Sequence, residues 1–325
     1  GINEALLARE YFGGEIHVYN PAFTQSEISQ LAEFAHTIVF NSQAQLDKFA
    51  DFARSCAKAA GNPGLEIGLR VNPQYAEVET QIYNPCASGS RLGARRDTLR
   101  ADVAKKIEML HFHAMCEQNS DVLERVLGHF EDKFADLIPQ VRTVNFGGGH
   151  HITRADYDTE RLAKIVRGFY ARYPNIEKIY LEPGEAWALN AGFLLTSVLD
   201  VLKNGETQIA IVDASAACHM PDVLEMPYLP PLLGTDETEE GGITVRLGGS
   251  TCLSGDVIGE YKFRQLPEYG DLLMFGDMAI YTTCKNNTFN GMPLPNIWLR
   301  RADNMMQQLT DFGYMDFKER LGSRE

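Results

Sequence analysis

The chain has 325 residues, 44% hydrophobic and 23% charged, with a formal net charge of −14 at pH 7. These proportions fit a folded globular protein of one large domain and a smaller one, and they exclude low-complexity and fibrous chains. The negative balance disfavours nucleic acid and steers cationic small molecules towards the surface. No run approaches the ~20 apolar residues of a membrane-spanning helix, and no basic segment followed by an apolar core opens the chain, so the sequence reads as soluble and cytoplasmic.

In chain order, a helical pattern opens at 3–12, and β-rich apolar runs follow at 16–19, 37–40, 65–71, 107–112, 141–146 and 176–181. Amphipathic helices are predicted between them at 26–35, 43–60, 120–138 and 158–173, with Ser26 and Asn41-Ser42 as caps. This alternation predicts a parallel sheet with helical crossovers, an α/β (β/α)8 barrel over 1–190 whose first two strands lie before Gly1. After Asn190 the β-like runs are 193–202, 208–213, 243–247 and 271–280, with turn signals at Asn204-Gly205 and Gly241-Gly242. They predict a second, mainly antiparallel β domain over 191–325. The acidic run 235–240 reads as a solvated hairpin tip, and 303–321 as helix interrupted near Gly313. Six cysteines (56, 86, 116, 218, 252 and 284) form no Cys-x-x-Cys pair, which predicts reduced thiols and no structural zinc.

Three successive strand ends carry polar groups: Leu110-His-Phe-His-Ala114, Asn145-Phe-Gly-Gly-Gly-His150 and Tyr180-Leu-Glu-Pro-Gly-Glu185. In an α/β barrel the C-terminal strand ends open on one face, where distant residues converge. Three glycines after a strand leave bare backbone that can curl N–H groups around a phosphate, and a helix starting just beyond would add its positive end. A tight turn without a ligand accounts for the glycines equally well. His111 and His113 share a facing, because strand side chains repeat every two residues, and either could be a packed histidine.

His111-Phe-His-Ala-Met-Cys-Glu117, Asn145-Phe-Gly-Gly-Gly-His-His-Ile-Thr153, Glu182-Pro-Gly-Glu-Ala-Trp187, Gly249-Ser-Thr-Cys252 and Tyr281 through Thr288-Phe-Asn-Gly291 resemble the fold type III pyridoxal-phosphate decarboxylases. The stretch from Gln81 to Gly93 and the pattern His219-Met-Pro-Asp-Val-Leu-Glu-Met-Pro-Tyr228 resemble the branch acting on carboxynorspermidine and carboxyspermidine. The resemblance spans essentially the whole chain and implies pyridoxal 5'-phosphate as cofactor. It implies Glu182 against the pyridine nitrogen, His113 on the ring face, and Gly147, Gly148 and Gly149 with backbone at Gly184 and Glu185 around the phosphate. Tyr281 would donate to the phosphate from the second domain, and Arg91 would lie near the phenolic oxygen. Cys252 matches the cysteine that returns a proton to the carbanion, on a loop reaching the partner subunit's site in a homodimer. Thiols titrate close enough to neutral pH for that task.

Asp256 falls where relatives place a substrate-amine ligand, although Leu253 replaces the aspartate that ornithine-type enzymes carry after this cysteine. Glu185, Asp213, Asp222 and Glu225 are candidate acceptors for a cationic polyamine tail, whose ammonium groups call for carboxylates. At Glu185 the resemblance puts an arginine in diaminopimelate and ornithine enzymes, so the local charge is reversed.

The family holds its cofactor on a lysine at the end of the first barrel strand, and none of the lysines from Lys48 to Lys318 stands in that motif. The expectation is an N-terminal segment ahead of Gly1 that carries it. Other readings stay open: another decarboxylase of the same fold type, a metal-dependent barrel hydrolase built on His111, His113 and His150 or Glu182, and a catalytically dead relative that serves as a binding partner.

Overall fold

Six short strands pair in chain order, all parallel: β1 (His17–Tyr19), β2 (Thr37–Phe40), β3 (Glu66–Arg70), β4 (Met109–His111), β5 (Thr143–Asn145) and β6 (Lys178–Tyr180). The computed structural model describes residues 1–235 and 241–322. The chain divides into two units, Gly1–Ala186 and Trp187–Glu325. Among the described residues, no helix is long and apolar enough to cross a membrane.

In the first unit the ladders are shorter than the apolar runs that carry them. Ile107 and Phe112 flank β4 outside its ladder, yet both are buried, because apolarity follows the core rather than the hydrogen bonds. The helices are α1 (Ile2–Tyr11), α2 (Gln25–Leu31), α3 (Gln43–Ala59), α4 (Ser120–Phe134) and α5 (Thr159–Arg172), and a single turn, α6 (Glu185–Ala188), follows β6. Ser42 caps α3 as its sequence predicts. Ser26 does not cap α2: the cap is Thr24, whose hydroxyl accepts from the Glu27 N–H at 3.2 Å while Glu27 accepts from the Thr24 N–H at 2.7 Å. This reciprocal box draws the helix start back from the predicted position. Asn119 Oδ1 accepts from Ser120 N–H at 2.7 Å and Asp158 N–H at 2.9 Å, tying the starts of α4 and α5 together.

Register decides what faces where. Arg70 pairs with His111, and His111 with Asn145, so these three polar side chains form a row on one face. Their neighbours Leu69, Leu110 and Val144 point the other way into the apolar core. Phe112, Phe130, Phe146 and Phe169 close that core, with ring centroids 4.8–5.6 Å apart along the chain of contacts. Each fully buried aromatic contributes about 1.5–3 kcal/mol of transfer free energy. The sheet curls: the His17 ring on β1 lies 4.5 Å from the Tyr180 ring on β6, although these strands stand at opposite ends of the strand order.

The second unit is a five-stranded sheet of β7 (Leu194–Asn204), β8 (Thr207–Val212), β9 (Ile243–Gly248), β10 (Val257–Phe263) and β11 (Leu272–Phe275), in the order β10-β9-β8-β7-β11. Its pairings are antiparallel except β8 with β9. The Asn204-Gly205 signal is the β7–β8 hairpin turn, where Gly205 takes φ +60°. Two helical turns, α7 (Ala216–His219) and α8 (Asp222–Glu225), follow β8. The predicted helix over 303–321 is corrected. Residues Met306–Thr310 form β13, a hairpin with β12 (Ile297–Arg300), and only α9 (Tyr314–Arg320) is helical. Met306 and Gln307 are helix-compatible residues that pairing with Arg300 and Leu299 claims instead. Of the predicted acidic tip, residues 236–240 lie outside the described residues.

Candidate active site

The polar row on the sheet leads to Glu182, just beyond β6. Asn145, the last residue of β5, donates from Nδ2 to Glu182 Oε1 at 2.8 Å. His111 Nε2 stands 3.7 Å and His113 Nδ1 3.8 Å from Glu182 Oε2. His111 is 2% exposed, while His113 and Glu182 are 36% and 43% exposed, so the carboxylate has one buried and one open side. His113 Nδ1 accepts from the Gly148 N–H at 3.2 Å, which leaves its link to Glu182 electrostatic rather than a hydrogen bond.

Burial works to raise the Glu182 carboxyl, but the two histidines outweigh it and hold it well below the usual carboxylate range. Burial pushes the His111 imidazole down, against the pull of Glu182. The Asn145 amide donates directly to the carboxylate, and a hydrogen bond to the charged form favours the ionised acid. Behind His111 the Tyr19 ring meets it edge-on at 5.6 Å, and the Arg70 guanidinium stacks on Tyr19 at 4.5 Å. Arg70, 6% exposed, also donates to the His113 carbonyl at 3.3 Å.

The glycine loop is pressed between strand ends. A Cβ on Gly147 would meet the Phe112 carbonyl and His113, one on Gly148 the Glu182 carbonyl, and one on Gly149 the Met115 carbonyl. Gly147 and Gly149 take φ of +72° and +80°. No helix starts just beyond it, contrary to expectation. Gln118 and His150 pair as an isolated bridge, and the chain runs on to α5 at Thr159, so any anion held by the loop relies on backbone and side chains. Gly184 donates its N–H to the Glu182 carbonyl at 2.8 Å. Glu185 opens α6 with Oε2 3.5 Å from His151 Nε2. Arg91 is exposed, its carbonyl accepting from Asn41 Nδ2 at 2.8 Å. Asn41 Oδ1 in turn accepts from the Tyr19 hydroxyl at 2.8 Å.

In the second unit Cys252 is an exposed free thiol whose N–H donates to Asn290 Oδ1 at 2.9 Å. Asp256, 4% exposed, organises that loop: it accepts from the hydroxyls of Thr251 at 2.6 Å and Ser215 at 2.8 Å and from the Ala217 N–H at 3.3 Å. Asp213 accepts from the Thr196 hydroxyl and from the Ser197 N–H at 2.9 Å. Asp222 and Glu225 share the Lys285 ammonium, Glu225 at 2.8 Å. Tyr281 is 65% exposed and takes φ +37°, a left-handed conformation rare for a tyrosine.

The first unit thus brings together His113, Glu182 and Gly147–Gly149 as the sequence predicts. It adds Asn145, Arg70, Tyr19 and His151, to which the sequence reading gave no role. Asn145 carried a readable signal: an amide ending an apolar strand directly before the glycines. Arg70 and Tyr19 carried none, since only register puts them behind His111.

Ligand atoms of His111, His113 and Glu182 lie within 4.8 Å of one another, close enough for a metal ion. The comparisons with known proteins point to a cofactor-dependent family. Residues 17–279 match the family described as pyridoxal-dependent decarboxylase, C-terminal sheet domain. The chain belongs to the pyridoxal-dependent decarboxylases. It is 43% identical to the carboxynorspermidine/carboxyspermidine decarboxylase of Campylobacter jejuni, over 98% of this chain and 84% of that protein. It is 39% identical to the carboxyaminopropylagmatine decarboxylase of Synechocystis, over 98% and 80%. The crystal structure of Campylobacter jejuni carboxynorspermidine decarboxylase complexed with norspermidine superposes with a TM-score of 0.86 at 41% identity, covering 98% of this chain and 84% of that one.

Pyridoxal phosphate fits the residues present. An ionised, half-open carboxylate suits a pyridinium nitrogen, and glycines that have no room for a Cβ suit a phosphate. Among the described residues, no lysine is bonded to His111, His113 or Glu182.

Proposed function

We propose that this protein decarboxylates carboxynorspermidine or carboxyspermidine with pyridoxal phosphate, yielding norspermidine or spermidine in polyamine biosynthesis. The observation that carries this reading is Glu182, held low by His111 and His113 and hydrogen-bonded by Asn145 beside the glycine loop, in a chain 43% identical to a decarboxylase of that name.

When bound, the cofactor supplies an electron sink for the carbanion left at the α-carbon as CO2 departs. Glu182 keeps the ring nitrogen protonated, and His113 covers the ring face. Gly147, Gly148 and Gly149, with the backbone at Gly184 and Glu185, hold the phosphate, and the Tyr281 hydroxyl donates to it. Arg91 would serve the phenolic oxygen. Cys252 Sγ delivers a proton to the α-carbon. Glu185, Asp213, Asp222, Glu225 and Asp256 present negative charge to the ammonium groups of the tail. The working unit is a cytoplasmic homodimer in which each Cys252 serves the partner's site, built on a complete eight-stranded barrel.

A second substrate is favoured by one observation, the 39% identity to a carboxyaminopropylagmatine decarboxylase. That compound shares the reacting end and ends in a guanidinium instead of an amine. Measuring kcat/KM for carboxynorspermidine, carboxyspermidine, carboxyaminopropylagmatine, ornithine and diaminopimelate decides. The first two are expected to lead by at least about tenfold, since each charge-assisted contact contributes about 1.5–3 kcal/mol. A lead for diaminopimelate or ornithine overturns the substrate assignment and leaves the cofactor chemistry standing.

A further inference from the structure

Residues 249–256 connect β9 to β10 and carry Cys252, with positions 252–255 exposed. An exposed connection of small polar residues is mobile unless its backbone is tied down. Two ties flank the thiol. Directly before it, the Thr251 hydroxyl donates to Asp256 Oδ2 at 2.6 Å. At the cysteine itself, the backbone N–H donates to Asn290 Oδ1 at 2.9 Å. Each anchor is held in turn. The buried Asp256 carboxylate accepts from the Ser215 hydroxyl at 2.8 Å, and that hydroxyl oxygen caps α7 by accepting from the Cys218 N–H at 3.1 Å. A Cβ on Gly249 would collide with Asp256 Oδ2, so the loop closes tightly over the acid. Asn290 takes φ +55°, a left-handed conformation that asparagine tolerates better than most residues, in a turn that Asn287 fastens to the same helix. Asn287 Nδ2 donates to the Ala217 carbonyl at 2.7 Å, and its N–H donates to the Cys218 carbonyl at 3.0 Å. Both ties therefore end on α7, and the cysteine hangs from that turn by two separate routes.

We propose that Thr251 and Asn290 are positioning residues for the Cys252 thiol, holding its backbone so that Sγ meets the substrate's α-carbon at proton-transfer distance. The proposal rests on the reading of Cys252 as the proton donor. In that step the thiol gives one proton to the α-carbon, and the thiolate left behind regains a proton from solvent. Thr251 and Asn290 act through Cys252, so their loss should affect the rate of the step rather than the binding of substrate.

The test separates kcat from KM and pairs each change with Cys252→Ala. Thr251→Val keeps the shape and removes the hydroxyl, and Asn290→Ala removes the acceptor. Each is expected to lower kcat about ten- to a hundredfold and to leave KM within about twofold, since a reacting group misplaced by about 1 Å costs that much. Thr251→Ser and Asn290→Asp, which keep the donor and the acceptor, are expected to recover most of the loss. In Cys252→Ala chains neither Thr251→Val nor Asn290→Ala should cost anything further. Hydrogen exchange at the Cys252 amide, followed by mass, should quicken at least about tenfold in Asn290→Ala. A raised KM at unchanged kcat, or a full further loss in the Cys252→Ala background, overturns the proposal and assigns the ties to substrate binding or to folding. Parental kcat in Cys252→Ala removes the proton-donor reading, and the proposal with it. A crippled Cys252→Ala beside parental rates in Thr251→Val and Asn290→Ala overturns the proposal alone. Should Thr251→Val fail to fold, Asn290→Ala carries the same test.

Discussion

Asn145 joins Glu182 to the glycine loop: its Nδ2 donates to Glu182 Oε1 at 2.8 Å while its Oδ1 accepts from the Gly147 N–H at 2.8 Å. One side chain, 3% exposed, sets both the carboxylate and the first glycine of the loop. Asn145→Ala removes both bonds and is expected to lower kcat about ten- to a hundredfold. Asn145→Asp should be worse, because it places a second carboxylate against Glu182 and raises the acid's pKa. Steady-state rates that rank the aspartate variant level with the parent would refute this account of Asn145.

Glu182→Ala is expected to retain measurable cofactor and to lose at least about a hundredfold in turnover, since the electron sink is weakened rather than removed. Absorbance of bound cofactor and kcat are read on the same preparation. Near-normal turnover removes Glu182 from the mechanism.

The dimer reading is tested by complementation. Cys252→Ala chains mixed with Glu182→Ala chains should regain up to about a quarter of parental activity, because half of a random mixture is hybrid and each hybrid carries one intact composite site. No recovery, with subunit exchange demonstrated by mass, means that each chain builds its own site.

Lys285 is the resident cation of Asp222 and Glu225. Lys285→Met leaves two carboxylates without that cation, so KM for a polyamine substrate is expected to fall about three- to tenfold if they serve the tail. The melting temperature should fall as well, because Asp222 is only 17% exposed and loses its partner. A lower melting temperature with unchanged KM makes the trio purely structural.

Acid stability should report His150. Its folded pKa of about 4 lies below the ordinary histidine value, so between pH 6.5 and 4 the unfolded chain binds more protons. Stability is therefore complete above pH ~6.5 and declines as pH falls towards 4, by up to about 3 kcal/mol from this residue. Burial pushes His111 and His219 down as well, which adds to the same slope. Thermal melts across that range should show a shallower decline in His150→Gln. Identical slopes would count against a buried neutral imidazole.

The strand-and-helix alternation of the first unit was legible because buried parallel strands read as apolar runs and the intervening helices as amphipathic ones. Caps were less so, since Thr24 and Ser26 are both acceptable cap residues and only the reciprocal bond with Glu27 chooses between them. The 306–310 strand was illegible, because its residues suit a helix and only pairing with 297–300 makes them a strand.

By itself the sequence determined the chemistry available at the strand ends: His113 after β4, three glycines after β5 and Glu182 after β6, with the family they resemble. Those residues are local, and their spacing is set by strand and turn. Only the tertiary structure decided what surrounds them. Arg70, His111 and Asn145 stand far apart in sequence and become one polar row through strand register. The low pKa of Glu182, set by its neighbours against burial, and the low pKa of His150, set by burial, follow from surroundings that no linear pattern contains. Register and desolvation are properties of packed chains, and they turned a set of compatible residues into a site.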